Sequence, residues 1–311
     1  NLVGITEREL NGVAVDGLLD RLHPKVLLTR ENAAATSSEP AGPALAGQRV
    51  FDRSLVYIRV AQVESGLAGA FLSVLRGLAD PSPPKGLVLD LRFAQGVDYV
   101  EAGRLADCLV ASPRKLLICG DEIIEATAKT NVFDCPVVVL INGETRGAAE
   151  AVAAALRHAE VGLLLGSQTA GEASLFREFL LSNGRRLRIA SVPIRVGDGR
   201  EIAPAGIKPD IEVTVRADDE RLFLEDPYRA IGRADRTAPS GDTNVLGSAG
   251  NRSGRMSEAE LVRMRREGQA GDDEGPSPAR AASAERPVVT DPVLARALDL
   301  LRGLAVLRPG R

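Results

Sequence analysis

The chain has 311 residues, of which 44% are hydrophobic and 26% charged, and its formal net charge is −3. These values are typical of a globular protein with a substantial core, and the near-balanced charge gives no basic surplus for binding nucleic acid. No apolar run approaches the roughly 18 residues of a membrane-spanning helix, so we expect no integral membrane segment. Two histidines are too few for a histidine-rich metal site, and we expect no cofactor.

Residues 1–30 are predicted to form an N-terminal helical segment. Thr6 and Glu9 have the spacing of a capping box, in which each side chain accepts a hydrogen bond from a backbone N–H of the first turn. Apolar residues then recur every four positions, at Leu10, Ala14, Leu18 and Leu22. Residues 31–49 are rich in Ala, Ser, Pro and Gly, which predicts a linker.

Between residues 50 and 231, strand-sized apolar segments alternate with helical patterns, which predicts an α/β core. Strands are expected at residues 55–61, 87–91, 116–119, 136–141 and 163–165. Helices are expected at residues 65–78, 100–110 and 147–158. Two longer β segments, 175–181 and 186–195, flank the dipeptide Asn183-Gly184, which is a hairpin signal.

The last part of the chain divides into two segments. Residues 232–287 contain almost no large apolar side chains, which predicts a disordered insert. Residues 288–311 are predicted to form a helix that begins after Asp291 and docks on the core through a leucine stripe. That stripe consists of Leu294, Leu298, Leu301 and Leu304.

Several motifs follow one another in an order that is found in one enzyme family. The strand 85–92 precedes a tight turn, and the strand at 136–142 leads into a helix that carries Glu150. Residues 166–171 have the form Gly-x-x-Thr-x-Gly, and residues 206–210 read Gly-Ile-Lys-Pro-Asp. In this order the motifs resemble the C-terminal-processing (tail-specific) serine peptidases. The resemblance implies an α/β core of the ClpP/crotonase-like type.

The resemblance also indicates which positions the family uses for catalysis, and there this chain departs from the family pattern. Family members use a serine nucleophile, a lysine held neutral by desolvation, and backbone N–H groups that bind the oxyanion. The nucleophile position is Gly147 and the lysine position is Glu172. The orienting glutamine is replaced by Phe176, and the oxyanion turn contains Gly96 and Val97. The resemblance therefore implies a homologue that does not hydrolyse peptides, that is, a pseudoenzyme.

Three functions remain open at this point. The first is a pseudoenzyme that binds a peptide or protein, for example a C-terminal tail, or acts as a scaffold. The second is an active serine-type endopeptidase with a displaced nucleophile, for which Thr145 and Ser174 are the neighbouring hydroxyls. The third is a carrier of a small apolar ligand. The expected cleft residues are Thr145, Arg146, Gly147, Glu150, Gly171 and Glu172.

Two groups of charges have both a chemical and a structural interpretation. Glu144, Glu150 and Glu172 are candidates for general acid–base work. The alternative is that Arg146 and neighbouring arginines pair with these acids at the rim of the cleft. The segment 90–92, which reads Asp-Leu-Arg, is expected to hold an ion pair at the end of a strand.

The resemblance also suggests a location and an organisation. Many family members carry a peptide-binding PDZ domain, but about twenty residues separate Arg30 from Val50, fewer than the roughly 50 that a domain needs. We therefore expect no PDZ domain at this place. Family members are mostly exported, and the sequence begins with Asn1 rather than methionine. These points predict a periplasmic or otherwise exported protein with a removed leader or a trimmed start, and an oligomer is possible.

Overall fold

The computed structural model describes residues 6–29, 43–78, 83–129, 135–202, 204–229 and 289–307. The helices within these ranges are α1 (Glu7–Leu22), α2 (Leu67–Leu78), α3 (Tyr99–Asp107), α4 (Ala148–His158), α5 (Ala217–Glu225) and α6 (Pro292–Leu307). The first seven strands are β1 (Val26–Thr29), β2 (Leu45–Phe51), β3 (Leu55–Val60), β4 (Gln62–Val63), β5 (Gly86–Asp90), β6 (Gln95–Gly96) and β7 (Arg114–Cys119). The others are β8 (Glu122–Ala126), β9 (Val137–Ile141), β10 (Gly162–Gly166), β11 (Ser174–Leu180), β12 (Arg186–Pro193), β13 (Arg195–Val196) and β14 (Ile211–Glu212).

Six strands form the central sheet, in the order β14-β10-β9-β5-β3-β2. Neighbouring strands run parallel, except that β2 lies antiparallel to β3 at one edge. The two middle strands, β5 and β9, are buried along their whole length. Continuous apolar runs of this kind are typical of parallel strands that are covered on both faces.

Helices cover both faces of this sheet. Leu87 and Leu89 of β5 belong to one apolar cluster together with residues of α2, α3 and α4. Gly86 lies on the other face, where an added Cβ would come within 3.0 Å of Leu301 of α6. Because side chains alternate between the two faces of a strand, α6 packs on the face opposite to α2, α3 and α4. The predicted α/β core is confirmed.

The predicted linker 31–49 extends too far, because β2 begins at Leu45. Most side chains of β2 are exposed or half-buried, so this edge strand has no apolar periodicity for a sequence pattern to detect. It is held by its backbone ladder to β3. Residues 1–30 also contain more than a helix, because Val26–Thr29 form β1, which pairs with β12. The strand β8 and the helix α5 were not predicted either.

The N-terminal helix has the predicted start, and its apolar repeat is largely exposed. The capping box is confirmed, since Thr6 Oγ1 accepts a hydrogen bond from the Glu9 N–H and the Glu9 carboxylate accepts one from the Thr6 N–H. Leu10, Leu18 and Leu22 are 40–57% exposed, so the apolar face of α1 is largely open to solvent. None of the helices in the described part of the chain is long and apolar enough to span a membrane.

The predicted hairpin is confirmed as β11 and β12, which pair antiparallel from Ser174↔Pro193 to Leu180↔Arg186. Asn183 and Gly184, the two residues that predicted the hairpin, have different roles in the turn at 181–185. Gly184 has φ +76°, a conformation that favours glycine, whereas Asn183 accepts a hydrogen bond from the Arg185 N–H through its side-chain oxygen. All the described helices and strands belong to one unit, which includes the chain up to Pro227 and from Val289 onward. The predicted insert 232–287 lies outside the described residues.

The C-terminal helix docks through the predicted stripe. Leu294, Leu298 and Leu301 are at most 1% exposed, whereas Leu304 is 36% exposed. The helix starts at Asp291, whose Oδ1 accepts hydrogen bonds from the N–H groups of Val293 and Leu294. Such a side-chain cap satisfies donors that have no partner within the helix.

The same aspartate binds a buried arginine at the end of β5. Arg92 is 1% exposed, and its guanidinium donates to Asp90 at 2.7–3.1 Å and to Asp291 at 2.8–3.2 Å. Burial lowers the pKa of Arg92, but the two carboxylates raise it above its ordinary value, so the side chain stays charged. Tyr57 donates a further hydrogen bond to Asp90 at 2.8 Å. The expected ion pair of Asp90 and Arg92 is therefore confirmed as part of a larger buried network.

Two more residues extend the network to α5 and β9. Glu220 of α5 lies 3.7 Å from the Arg92 guanidinium, and it accepts a hydrogen bond from the side-chain amide of Asn142 at 2.9 Å. Burial raises the pKa of Glu220, while the hydrogen bond from Asn142 and the charge of Arg92 oppose this rise. The network therefore connects β5, β9, α5 and α6.

We predict that Arg92→Met lowers the free energy of unfolding by about 3–5 kcal/mol, because it leaves buried carboxylates without their cation. Urea denaturation followed by circular dichroism measures this loss. The matched control is Arg302→Met, which removes an arginine of α6 that is half exposed and pairs with Asp52 and Asp299. An exposed pair contributes at most about 1 kcal/mol. Equal losses in the two variants would contradict the prediction.

A second prediction concerns pH and Glu220. A raised folded-state pKa means that the neutral form adds stability that is fully present below the ordinary pKa of 4.5 and is lost as the pH rises through the folded-state value. Glu220→Gln stays neutral, so its unfolding free energy relative to wild type should increase from about pH 4 to about pH 7. Urea titrations across this range measure the difference. Glu225→Gln at the end of α5 controls for the removal of one charge, and a difference independent of pH would refute the assignment.

Candidate active site

Glu150, in the first turn of α4, is a buried carboxylate that accepts four hydrogen bonds. Its Oε2 binds the N–H groups of Gly147 at 3.0 Å and Glu172 at 2.7 Å. Its Oε1 binds the Thr169 hydroxyl at 2.5 Å and the Gly171 N–H at 2.7 Å. The start of α4 and the turn before β11 thus meet at one side chain. The positions that the sequence indicates for nucleophile and base are neighbours because both contact this carboxylate.

The four donors hold Glu150 against the cost of burial. Burial raises the pKa of Glu150, and the hydrogen bonds from Thr169, Gly171, Glu172 and Gly147 oppose the rise. Every lone-pair direction of the carboxylate has a donor, which leaves none for a substrate. Glu150 therefore positions the site and is poorly placed for the acid–base role that the sequence left open.

Gly147 has no space for a side chain. Its φ is +56°, in the left-handed region that favours glycine. A Cβ added there would lie 2.5 Å from the carbonyl oxygen of Gly96 and 3.8 Å from the hydroxyl of Tyr99. The contact with the carbonyl is shorter than van der Waals packing allows. The space that a side chain at position 147 would need is occupied by the backbone of the turn at 93–97.

That turn is fixed by contacts on several sides. The Phe93 N–H donates to the Asn142 side chain at 3.0 Å, and the Arg146 N–H donates to the Ala94 carbonyl at 2.9 Å. Strand β6 pairs with β4, and a Cβ added at Gly96 would lie 2.4 Å from the Val63 carbonyl oxygen. Glycine is therefore required at this close approach.

Val97 lies in the turn that the family resemblance assigns to the oxyanion site. Its side chain is 74% exposed. The feature that faces Gly147 is the preceding carbonyl, that of Gly96. A carbonyl accepts hydrogen bonds, so it cannot stabilise an oxyanion as an N–H group does.

Arg146 neutralises the acids at the rim of the cleft. Its guanidinium binds Glu144 at 2.8 Å and Glu172 at 3.3 Å. His23, from the end of α1, lies 3.9 Å from the same oxygen of Glu172. The pairing interpretation is thus confirmed for Glu144 and Glu172, whereas Glu150 is held by neutral donors instead.

The two hydroxyls weighed as displaced nucleophiles have different surroundings. Thr145 is fully buried; its Oγ1 accepts a hydrogen bond from the Asn142 N–H and donates one to the Leu91 carbonyl. It stabilises the turn and is closed to a substrate. Ser174 is half-buried, and its carbonyl accepts a hydrogen bond from the Tyr99 hydroxyl at 2.9 Å.

Comparison with known proteins identifies the family. The sequence model of peptidase family S41 matches residues 54–213, which is more than half of the chain. The chain belongs to peptidase family S41. The predicted resemblance to the tail-specific serine peptidases is thereby confirmed, together with the predicted α/β core.

Two curated relatives match this chain over part of their length. The chloroplastic C-terminal processing peptidase of Tetradesmus obliquus is 27% identical over 196 residues, which are 62% of this chain and 40% of that protein. The carboxy-terminal processing protease CtpA of Bacillus subtilis is 26% identical over 165 residues, which are 52% of this chain and 34% of that protein. The chain therefore spans less than half the length of either relative.

A solved structure supports the S41 fold. The structure of a candidate peptidase from Parabacteroides merdae superposes with a TM-score of 0.53 at 17% identity, covering 70% of this chain and 79% of the other. At this identity the similarity concerns the fold alone.

A cavity of about 230 Å³ lies beside the base position of this S41 chain. Gly171 and Glu172 line it, together with Phe176 of β11, which is the position of the orienting glutamine. The Phe176 ring stacks 4.8 Å below the guanidinium of Arg188, so it is held in the wall. Lys25, which the sequence did not single out, lines the same cavity. No local sequence pattern indicates that Lys25 lines the cavity. Lys25 directly precedes β1, and β1 is brought to this place by its pairing with the distant strand β12.

We predict that Glu150→Gln lowers the free energy of unfolding by at least about 2 kcal/mol, because the new amide group faces two N–H or O–H donors whichever way it turns. Thermal and urea unfolding measure the loss. Glu160→Gln, an exposed residue just after α4, is the control and should stay within about 0.5 kcal/mol of wild type. A Glu150→Gln protein as stable as that control would show that the four hydrogen bonds do not hold the site.

Proposed function

We propose that this chain is an S41 homologue that does not hydrolyse peptides and that binds a peptide segment of a partner protein in the region of β11 and the neighbouring cavity. The observation that carries the proposal is the carbonyl of Gly96, which fills the space where a side chain at Gly147 would begin. Position 147 therefore offers neither a nucleophilic side chain nor the space for one.

The groups at the positions of the base and of the oxyanion donors are also unsuited to hydrolysis. A serine–lysine mechanism needs an amine that removes the proton and N–H groups that face the oxyanion. At the corresponding places this chain has the carboxylate of Glu172, paired with Arg146, and the carbonyl oxygen of Gly96. Each group has the opposite hydrogen-bonding or charge character, so a single substitution does not restore the chemistry.

The edge of the small sheet supports peptide binding. In the described part of the chain β11 pairs only with β12, so one of its edges is unpaired. Phe179 and Leu180 at its far end are 48% and 70% exposed. An extended peptide can add to such an edge through backbone hydrogen bonds, with specificity supplied by pockets for alternate side chains. The cavity beside Phe176 is a pocket of this kind.

One observation keeps the displaced-nucleophile hypothesis as the second candidate. Ser174 and Lys25 line the same cavity, and serine and lysine are the residue types of the family mechanism. They form no hydrogen bond with each other, and Lys25 is exposed, whereas a lysine base needs burial to stay neutral. The apolar-carrier hypothesis is less well supported, because Glu172 and Glu201 also line the cavity. Export to the periplasm or another compartment stays a prediction, as does an oligomeric state.

We expect no cleavage when the purified chain is incubated with an unfolded tailed substrate, and no labelling by a serine-reactive phosphonate. The double variant Gly147→Ser/Glu172→Lys should also remain inactive, because the new Cβ meets the Gly96 carbonyl at 2.5 Å. The strained φ at position 147 should lower its melting temperature. Mass spectrometry of the products and of the labelled protein gives both readouts.

The carboxy-terminal processing protease of Bacillus subtilis serves as the positive control for substrate and label. Ser174→Ala is the matched variant for the second candidate. Labelling or cleavage that disappears in Ser174→Ala would replace the proposed function by a displaced-nucleophile peptidase. Activity of the double variant would show that the turn at 93–97 leaves the site, contrary to the proposal.

A further inference from the structure

We propose that the cavity beside Glu172 selects a basic side chain, lysine or arginine, of the bound peptide. This inference rests on the proposed function, since it names the class of peptide that the same site would take. It is carried by the combination of apolar walls with a carboxylate that still has an unused oxygen.

The walls of the cavity fit the stem of a long side chain. Phe176 and Val192 come from the facing strands β11 and β12, and Ile202 and Pro204 come from the segment before β14. These side chains are apolar, and Glu172 lines the cavity with them. Lysine and arginine have an aliphatic stem and a charged end, so they bury the stem against apolar surface and place the charge at a polar group.

Glu172 has the capacity to receive that charge. Its Oε1 contacts Arg146 at 3.3 Å and His23 at 3.9 Å. Its Oε2 accepts a hydrogen bond from no residue in the described ranges, although the side chain is only 13% exposed. A charged donor from a ligand would supply the missing partner, and hydrogen bonds between charged groups are stronger than those between neutral groups.

Among the residues that line the cavity two are acidic, Glu172 and Glu201, and one is basic, Lys25. Arg146 is shared between Glu144 and Glu172, so one positive charge faces two negative ones. Glu201 has its own partner, Arg195, at 3.3 Å. Lys25 is the cation that opposes a basic ligand, and it has no carboxylate within 4.0 Å among the described residues. Replacing Lys25 by a neutral residue should therefore strengthen the binding of a basic ligand and weaken the binding of an acidic one.

The experiment measures binding of the full chain to three fluorescent hexapeptide pools, with lysine, methionine or glutamate fixed at a central position and the other positions randomised. We expect the lysine pool to bind at least about fivefold more tightly than the methionine pool. Glu172→Gln should reduce that ratio to below about twofold, and Glu160→Gln should leave it unchanged. Lys25→Met should increase it. In wild type the preference should also fall as salt rises from about 50 to about 500 mM, which tests the charge without any variant.

Each other outcome is decisive. Equal binding of the three pools would overturn the inference and leave the proposed function standing. Tightest binding of the glutamate pool, weakened by Lys25→Met, would show that the cavity takes an anion through Lys25. If no pool binds, both the inference and the proposed peptide-binding function are wrong.

Discussion

The arrangement of the site depends on the ion pairs that the buried guanidinium of Arg92 forms with two aspartates. The guanidinium binds Asp90 at the end of β5 and Asp291 at the start of α6, which is 199 residues away in the sequence. A buried charge is tolerated only with its partners in good geometry, so this contact fixes both elements. Asn142 extends the constraint, since its amide donates to Glu220 while its carbonyl oxygen binds the N–H groups of Phe93 and Glu144. The two turns of the site are thus held by the network beneath them.

Above this network the chain has the α/β core of an S41 peptidase, with two turns that meet at Glu150. Glu150 still joins the start of α4 to the turn before β11, as an inward-facing carboxylate with four donors. At the positions that the family resemblance assigns to the nucleophile, the amine and the oxyanion turn, this chain has Gly147, the carboxylate of Glu172 and the carbonyl of Gly96. The two oxygen groups accept hydrogen bonds. The proposal of peptide binding without hydrolysis rests on this geometry.

Several elements of this structure were predicted from the sequence. The buried strands β5 and β9 were predicted because strands covered on both faces are continuous apolar runs. The capping box at Thr6 and the cap at Asp291 were predicted because they depend on neighbouring residues. Strand β2 and strand β8 were missed, since both have mostly exposed or half-exposed side chains and are defined by backbone pairing with partners elsewhere. The apolar repeat of α1 predicted the helix, and its leucines are largely exposed, because periodicity describes a helix but not what covers it.

The sequence by itself determined which side chains stand at the positions that the family resemblance indicates: Gly147 has none, and Glu172 is an acid, whatever the fold. It could not determine whether the space beside Gly147 is open. Only the tertiary structure decided that the carbonyl of Gly96 fills it, because the orientation of a peptide plane follows from contacts with Ala61, Val63 and Arg146. It likewise placed Lys25 and Glu172 in the wall of one cavity. These contacts join residues that are distant along the chain. A local sequence pattern does not specify which distant group packs against a given residue.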